Sequence, residues 1–254
     1  MQTALLLIIG ILGAIIGSFS NVCIYRIPKK ESIVWPSSHC PACSHPLNTL
    51  DLIPVFSFIF LRGRCRHCKA LISWRYPVVE SLTAVLWILV WLKFGLSLEF
   101  LSAAVFLSLG IIITFIDLDL QTIPDVISLP GVVIGLLLAF LSGRPSITDA
   151  LIGAFGGAAL LFLVAILSRG GMGGGDAKLL GMIGAFLGWQ GAAASLMIGS
   201  FAGAITGLLL IALKVIKRHD PVPFGPFLIF GAGAYLFFGE YIIDFYTMLV
   251  SGWL

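Results

Sequence analysis

Residues 171–178 of this 254-residue chain read Gly171-Met172-Gly173-Gly174-Gly175-Asp176-Ala177-Lys178, a glycine-rich turn that ends in a carboxylate and returns directly to apolar sequence. Four glycines in five residues allow positive φ angles and the close approach of another segment. Asp176 lies where the apolar run restarts, at or just inside a predicted membrane boundary. A carboxylate at this depth costs free energy unless water solvates it, a cation pairs with it or it serves a function such as catalysis. Asp176 is therefore a candidate catalytic residue, and Gly173, Gly175 and Lys178 are candidate supporting residues.

The composition indicates an all-α polytopic membrane protein. The chain is 59% hydrophobic and 11% charged, whereas about a quarter of the residues of a soluble domain are charged. Apolar runs close to the roughly 20 residues that cross a bilayer recur along it. We predict about eight transmembrane helices and no nucleic-acid partner. The predicted spans are Thr3–Tyr25, Pro77–Trp91, Leu98–Ile116, Val126–Leu141, Ala150–Leu167, Ala177–Gly188, Ala192–Val215 and Phe224–Phe238.

The distribution of basic residues predicts the orientation. With eight spans, both termini lie on one side, and all of the 15 lysines and arginines except Lys93 and Arg144 fall on the other. The positive-inside rule makes that basic side cytoplasmic. We therefore expect both termini outside and the glycine-rich turn inside. The first span is read as a retained anchor, because its basic residues follow it.

Residues 26–76 form the one sizeable segment predicted to leave the membrane. Two Cys-x-x-Cys pairs lie in it, formed by Cys40 with Cys43 and by Cys65 with Cys68. Their separation is typical of a tetrahedral zinc site, and a segment this short benefits from a metal staple. We predict a structural zinc ion bound by these four cysteines. A redox dithiol pair is the alternative, and the neighbouring histidines are read as bystanders.

Three polar residues near the first two spans permit two interpretations each. Asn21 and Arg26, at the cytoplasmic end of the first span, either make interhelical hydrogen bonds or line a site. Glu80, just past Pro77 in the second span, is either functional or part of a structural ion pair. All three are candidate supporting residues.

A cluster of carboxylates ends the third span. Asp117 continues the apolar run and is the deepest of the group, whereas Asp119 lies about 200° further round a helix and cannot share its face. Asp125 begins the next span, where we expect it to cap the helix N-terminus. Asp117 is therefore the predicted partner of Asp176.

Two aspartates held close together share one proton more readily than both ionise. The charged carboxylate can act as a general base on water while the protonated one polarises a peptide carbonyl. The sequence shows no Ser/His/Asp constellation and no His-Glu-x-x-His, and the glycine-rich turn lacks the Lys-Ser/Thr of a Walker motif. A transporter that uses intramembrane carboxylates is the alternative from another class, although transporter sites usually lie at the bilayer midplane.

These motifs together resemble the type IV prepilin peptidases, within the wider GxGD group of intramembrane aspartyl proteases. The resemblance covers nearly the whole chain. The matching stretches are Gly17-Ser18-Phe19-Ser20-Asn21-Val22, Tyr25-Arg26-Ile27-Pro28, both cysteine pairs, Asp51-Leu52-Ile53-Pro54, Arg75-Tyr76-Pro77 with Glu80, Ile116-Asp117 through Ile123-Pro124-Asp125, Gly171-Met172-Gly173-x-Gly175-Asp176 and Pro223-Phe224-Gly225-Pro226.

The resemblance implies that Asp117 and Asp176 are the catalytic pair of a membrane endopeptidase in the bacterial inner membrane. It implies cleavage of a basic leader from prepilin or pseudopilin precursors at the cytoplasmic face. It also implies methylation of the new N-terminus with S-adenosylmethionine, and a protease-only enzyme is the alternative. The expected organisation is a first transmembrane helix (1–25), a zinc-binding loop (26–76) and a transmembrane aspartyl peptidase domain (77–254).

Overall fold

The computed structural model describes residues 2–167, 173–217 and 220–251, and over these residues the chain is helical without a β-strand. The predicted fold class is confirmed. The helices are α1 (Gln2–Arg26), α2 (Phe56–Phe60), α3 (Arg75–Phe94), α4 (Leu98–Leu120), α5 (Asp125–Ser142), α6 (Ile147–Leu151), α7 (Gly157–Leu167), α8 (Gly174–Ala212) and α9 (Gly225–Ser251). A 3₁₀ turn (Thr49–Leu52) precedes α2, and a π-helical turn (Ile152–Gly156) joins α6 to α7.

Six helical segments among the described residues are long and apolar enough to cross a membrane. They are Gln2–Arg26, Arg75–Phe94, Leu98–Leu120, Asp125–Ser142, Ile147–Leu167 and Gly174–Ala212. The last of these, α8, contains the sixth predicted span and all but the last three residues of the seventh. The break between the two spans lies at Gly188, whose φ of 74° and ψ of 179° are not helical, so two helices meet at a kink where the sixth span was predicted to end. The eighth predicted span, apart from Phe224, lies within the longer helix α9.

The chain divides into two compact units, Met1–Phe100 and Leu101–Leu254. In the first unit α1 packs against α3 through small residues. A Cβ on Gly13 would lie 2.8 Å from the Cα of Ala84, and a Cβ on Gly17 would lie 2.7 Å from the Cα of Glu80. Larger side chains would push the two helices apart, so the glycine spacing of α1 sets the contact, as small-xxx-small pairs do in lipid.

In the second unit α8 is the central helix and packs against α5, α6, α7 and α9. Helix α4 is the most enclosed membrane-crossing helix, with 67% of its apolar window buried. Its Phe106 contacts Phe186 of α8, and its Gly110 faces Ile229 of α9. The enclosed position of α4 determines what surrounds the acidic residues at its C-terminal end.

Candidate active site and metal centre

Asp117 lies in the last turn of α4 and is buried, with 4% of its surface exposed. The backbone N–H of Gly225, the first residue of α9, donates a hydrogen bond of 2.9 Å to its Oδ2. The loops beside it are also tied together, because Gln121 donates through Nε2 to the carbonyl oxygen of Pro221 at 3.0 Å. The start of α9 is therefore held against the end of α4, with its N-terminal amide directed at the Asp117 carboxylate.

Asp176 is the third residue of α8 and is half-buried. Its own N–H donates to the carbonyl oxygen of Gly173 at 3.2 Å, which closes the first turn of the helix. A carboxylate in this position is favoured by the positive end of the helix dipole. Asp176 directly follows Gly175, which packs against the loop between α4 and α5 that follows Asp117. Gly171 and Met172 of the glycine-rich motif lie outside the described residues.

Ile123 packs between the two helix starts that carry or contact the aspartates. A Cβ on Gly175 would lie 3.0 Å from the Cβ of Ile123, and a Cβ on Gly225 would lie 3.4 Å from its Cδ1. The predicted supporting role of Gly175 thus has a steric basis. Gly173 differs, since a Cβ there would meet Asp176 only at an ordinary contact distance of 3.6 Å.

The structure corrects the expected role of Asp125. Pro124, not Asp125, precedes the first helical residue of α5, and no side chain caps that N-terminus. The Asp125 carboxylate instead accepts hydrogen bonds from Lys178 Nζ, at 2.7 Å to both oxygens. Both groups of this hydrogen bond are charged, so it is a salt bridge between two partly exposed side chains. The pair ties the start of α5 to the start of α8, beside Asp176.

The end of α4 and the starts of α5, α8 and α9 thus meet at one end of the helical bundle. The sequence predicted Asp117 and Asp176 there, but Gly225 and Ile123 were missed. The available signal for Gly225 was the Pro223-Phe224-Gly225-Pro226 motif, which is one of the stretches that carry the family resemblance. The contact of Gly225 with Asp117 joins residues 108 positions apart.

In the first unit, the other predicted residues form a separate set of polar contacts. Asn21 donates through Nδ2 to the carbonyl oxygen of Tyr76 at 3.1 Å, and its buried Oδ1 has no hydrogen-bond partner among the described residues. Arg26 is buried and donates to the carbonyl oxygen of Ser32 at 2.9 Å. Asn21 therefore links α1 to the beginning of α3, in agreement with the interpretation that it makes interhelical hydrogen bonds. Arg26 holds the loop that follows α1.

Glu80 of α3 is also buried in the first unit. Its Oε2 accepts a hydrogen bond of 2.7 Å from the backbone N–H of Val55, and the Ser18 hydroxyl also donates to its carboxylate. The observed contacts are thus to α1 and to the loop before α2. They hold that loop against the membrane-crossing part of α3.

The four predicted metal-binding cysteines converge. The Sγ atoms of Cys40, Cys43, Cys65 and Cys68 all lie within 4.8 Å of one another. Cys40 and Cys68 are 3.9 Å apart, close to the roughly 3.8 Å expected between two thiolates on a tetrahedral zinc with Zn–S bonds of about 2.3 Å. The donor set and its spacing therefore fit a zinc ion. His45 and His67 stack on each other, with ring centroids 4.4 Å apart.

The two cysteine pairs are held by the same local structure, repeated 25 residues along the chain. Cys40 N–H donates to the carbonyl oxygen of His45, and Cys65 N–H donates in the same way to Ala70, at 2.9 and 2.8 Å. The residues after the second cysteines, Ser44 and Lys69, both have positive φ angles, 56° and 62°. Each pair therefore forms a knuckle that presents two thiols to the other pair.

The pKa values of the cysteine thiols differ between the two knuckles. Backbone N–H groups of Cys68 and His67 lower the pKa of the Cys65 thiol to about 7, which favours the thiolate that a metal requires. At Cys43 a backbone hydrogen bond at His45 lowers the pKa, but burial and the neighbouring thiols outweigh it and raise the pKa to about 11. Four unmetallated thiols at this spacing cannot all ionise, whereas a bound cation would favour thiolates throughout.

Comparison with known proteins identifies the family. The profile of the bacterial peptidase A24 N-terminal domain matches residues 11–94, and that of the type IV leader peptidase family matches residues 104–208. A protein of Aeromonas salmonicida named prepilin leader peptidase/N-methyltransferase is 36% identical to this chain over 265 residues. The alignment covers 92% of this chain and 91% of that relative. The chain belongs to the type IV leader peptidase family.

Two further relatives of the same name extend this similarity to other bacteria. The Bacillus subtilis protein is 36% identical over 248 residues, covering 98% of this chain and 100% of its own length. The Pseudomonas aeruginosa protein is 34% identical over 270 residues, covering 95% of this chain and 93% of its own. No solved structure gives a significant match. Both aspartates fall within the family's peptidase region, and the four cysteines fall within its N-terminal domain.

Proposed function

We propose that this protein is a membrane aspartyl endopeptidase that removes the leader from type IV prepilin-like precursors and then N-methylates the new N-terminus. The observation that carries the proposal is that the helix ends bearing Asp117 and Asp176 meet, because Ile123 packs beside both Gly175 and Gly225 and the Gly225 N–H donates to Asp117. Family membership and the relatives' names support both activities.

Peptide cleavage follows from the two carboxylates. One carboxylate takes a proton from water, whose oxygen attacks the scissile carbonyl, while the other carboxyl group donates a proton to the carbonyl oxygen. Collapse of the tetrahedral intermediate breaks the C–N bond, and the leaving amine receives the proton taken from water. The Gly225 N–H keeps Asp117 in a fixed orientation throughout. No side-chain nucleophile is needed.

The position of the site favours a substrate cut at the membrane edge. The aspartates lie at the end of α4 and the start of α8, close to the starts of α5 and α9, and this position at helix ends supports a site at one face of the bilayer. A precursor whose leader precedes an apolar helix can place its scissile bond there while that helix remains in lipid. A transporter would be expected to carry its carboxylates near the midplane.

The proposal also includes location and cofactors. The excess of lysine and arginine on the side of the site favours the cytoplasmic face of the inner membrane, with both termini outside. Cys40, Cys43, Cys65 and Cys68 would bind one structural zinc ion. S-adenosylmethionine would supply the methyl group. The partners are prepilin or pseudopilin precursors in the lipid bilayer.

Mass spectrometry of a pilin-like precursor, incubated with purified enzyme with and without S-adenosylmethionine, tests the function. Loss of a leader-sized fragment in both reactions, with one methyl group added only when the donor is present, is expected. Leader loss without methylation would leave a protease-only enzyme. An unchanged precursor, given one that another family member cleaves, would contradict the proposal and favour the transporter.

A further inference from the structure

The short helix α2 presents an apolar face that the protein leaves uncovered. Phe56, Ile59 and Phe60 have 74%, 66% and 89% of their surfaces exposed. They lie at spacings of three and four residues, which places them on one face of a helix. Phe58 points the other way and is buried. We call Phe56, Ile59 and Phe60 the α2 face. Three adjacent large apolar side chains in the loop need a non-aqueous environment.

The contacts of α2 place this face at the depth of the membrane edge. Val55, directly before α2, is hydrogen-bonded to Glu80, five residues and therefore about 7.5 Å along the axis from the start of α3. Phe58 contacts Trp74, the residue before α3, with ring centroids 4.8 Å apart. Because α3 crosses the membrane, a helix fixed beside its first turns lies in the interfacial layer.

A basic cavity follows α2 directly. It measures about 430 Å³ and is lined by Leu61, Arg62, Arg64, Cys65 and Lys69. Its described lining thus contains three cations and no carboxylate. Guanidinium groups bind phosphate with paired hydrogen bonds, and cations beside an exposed apolar helix face are typical of segments that bind anionic membrane surfaces. The charge and the position both match a phospholipid headgroup.

We propose that the α2 face inserts into the membrane leaflet beside the loop and that the basic cavity binds the phosphate of an anionic phospholipid in that leaflet. Neither leader cleavage nor methyl transfer requires such a site. Cys65 lines the cavity, so the bound lipid would adjoin one metal knuckle and anchor it against the bilayer. The apolar face supplies affinity for the leaflet, and the cations supply preference for anionic headgroups.

The cavity is tested by counting lipids retained on the full-length protein. Native mass spectrometry of the protein released from nanodiscs of mixed phosphatidylglycerol and phosphatidylcholine compares wild type with the double variant R62Q/R64Q. The control K214Q/K217Q removes the same charge from the exposed loop after α8. We expect the wild type and the control to retain phosphatidylglycerol to the same extent. We expect R62Q/R64Q to retain at least five-fold less of it. Equal retention in all three would overturn the proposal.

Two additional experiments test whether the cavity binds the lipid or another anion. Millimolar inorganic phosphate should leave phosphatidylglycerol retention unchanged, and displacement by it would show a free-phosphate site instead. If R62Q/R64Q retained lipid but bound the precursor peptide more weakly, the cavity would serve the substrate and the proposal would fail.

The α2 face is tested with I59S/F60S against V34S, which alters an equally exposed residue of the same loop. Reduced phosphatidylglycerol retention in I59S/F60S alone, at an unchanged melting temperature, is expected. If I59S/F60S lowered the melting temperature equally in phosphatidylglycerol and in phosphatidylcholine but left lipid retention unchanged, the face would serve only folding.

Discussion

The contact between Gly225 and Asp117 predicts that a single methyl group will impair catalysis. A Cβ at position 225 would lie 2.7 Å from Asp117 Oδ2, about 0.7 Å short of an ordinary contact of 3.4 Å. The backbone at Gly225 does not have a positive φ angle, so alanine adds no strain of its own. The Asp117 carboxylate must therefore shift or lose its hydrogen bond to the Gly225 N–H.

Two independent considerations give the same magnitude. Misplacing a catalytic group by about 1 Å costs about 100-fold in rate. A hydrogen bond to a charged group contributes about 1.5–3 kcal/mol, which corresponds to about 10- to 100-fold at about 1.4 kcal/mol for each factor of ten. We expect Gly225→Ala to lower kcat for leader cleavage about 10- to 100-fold and to change KM little, because Asp117 acts on the reacting bond.

The assay is leader cleavage of a pilin-like precursor by purified enzyme, with kcat and KM measured separately. Gly233→Ala is the matched control, since a Cβ at that position of the same helix meets no atom within 4 Å. Melting temperatures of both variants check folding. Activity of Gly225→Ala within two-fold of the control, at equal melting temperature, would refute the argument that Gly225 positions Asp117.

Other predictions concern the metal, the packing of α1 and the surface ion pair. Metal analysis of protein purified without chelator should find about one zinc per chain, whereas a value near zero would favour the redox dithiol. Cys68→Ser should lose methylation before cleavage, and equal loss of both activities would make the loop a staple for the whole enzyme. Gly17→Ala should lower stability by about 1–3 kcal/mol through overpacking, since its Cβ would meet backbone. It should lower the melting temperature more than Gly10→Ala, where the added Cβ would meet only the flexible side chain of Ile88. Equal melting temperatures of the two variants would contradict this. Lys178→Met should change stability by no more than about 1 kcal/mol, because its partner Asp125 is exposed; a larger drop would show that the pair is structural.

The helices could be predicted from sequence because the bilayer imposes a length and a composition on every segment that crosses it. Asp117 and Asp176 were chosen as candidates because a carboxylate that continues an apolar run has few structural uses, and their catalytic role stays a prediction. The cysteine pairs followed from spacing alone, and the structure brings their four thiols together.

What could not be predicted depended on contacts distant in sequence. The Gly225 N–H reaches Asp117 only because α9 begins beside the end of α4, and hydropathy does not report which helix ends meet. Gly188, by contrast, was predicted to end the sixth span, and the structure has a non-helical residue and a kink between two helices at that position. Asp125 has a residue type that caps helices, but Lys178 lies close enough to take its carboxylate.

The central claim is that Asp117 and Asp176 cleave the precursor together. The most direct test is mass spectrometry of the precursor after incubation with Asp117→Asn, Asp176→Asn and the control Asp119→Asn, an exposed residue in the last turn of the same helix as Asp117. Leader release should disappear in the first two variants, with folding unchanged, and persist in the third. Leader release retained by both Asp117→Asn and Asp176→Asn would contradict the account.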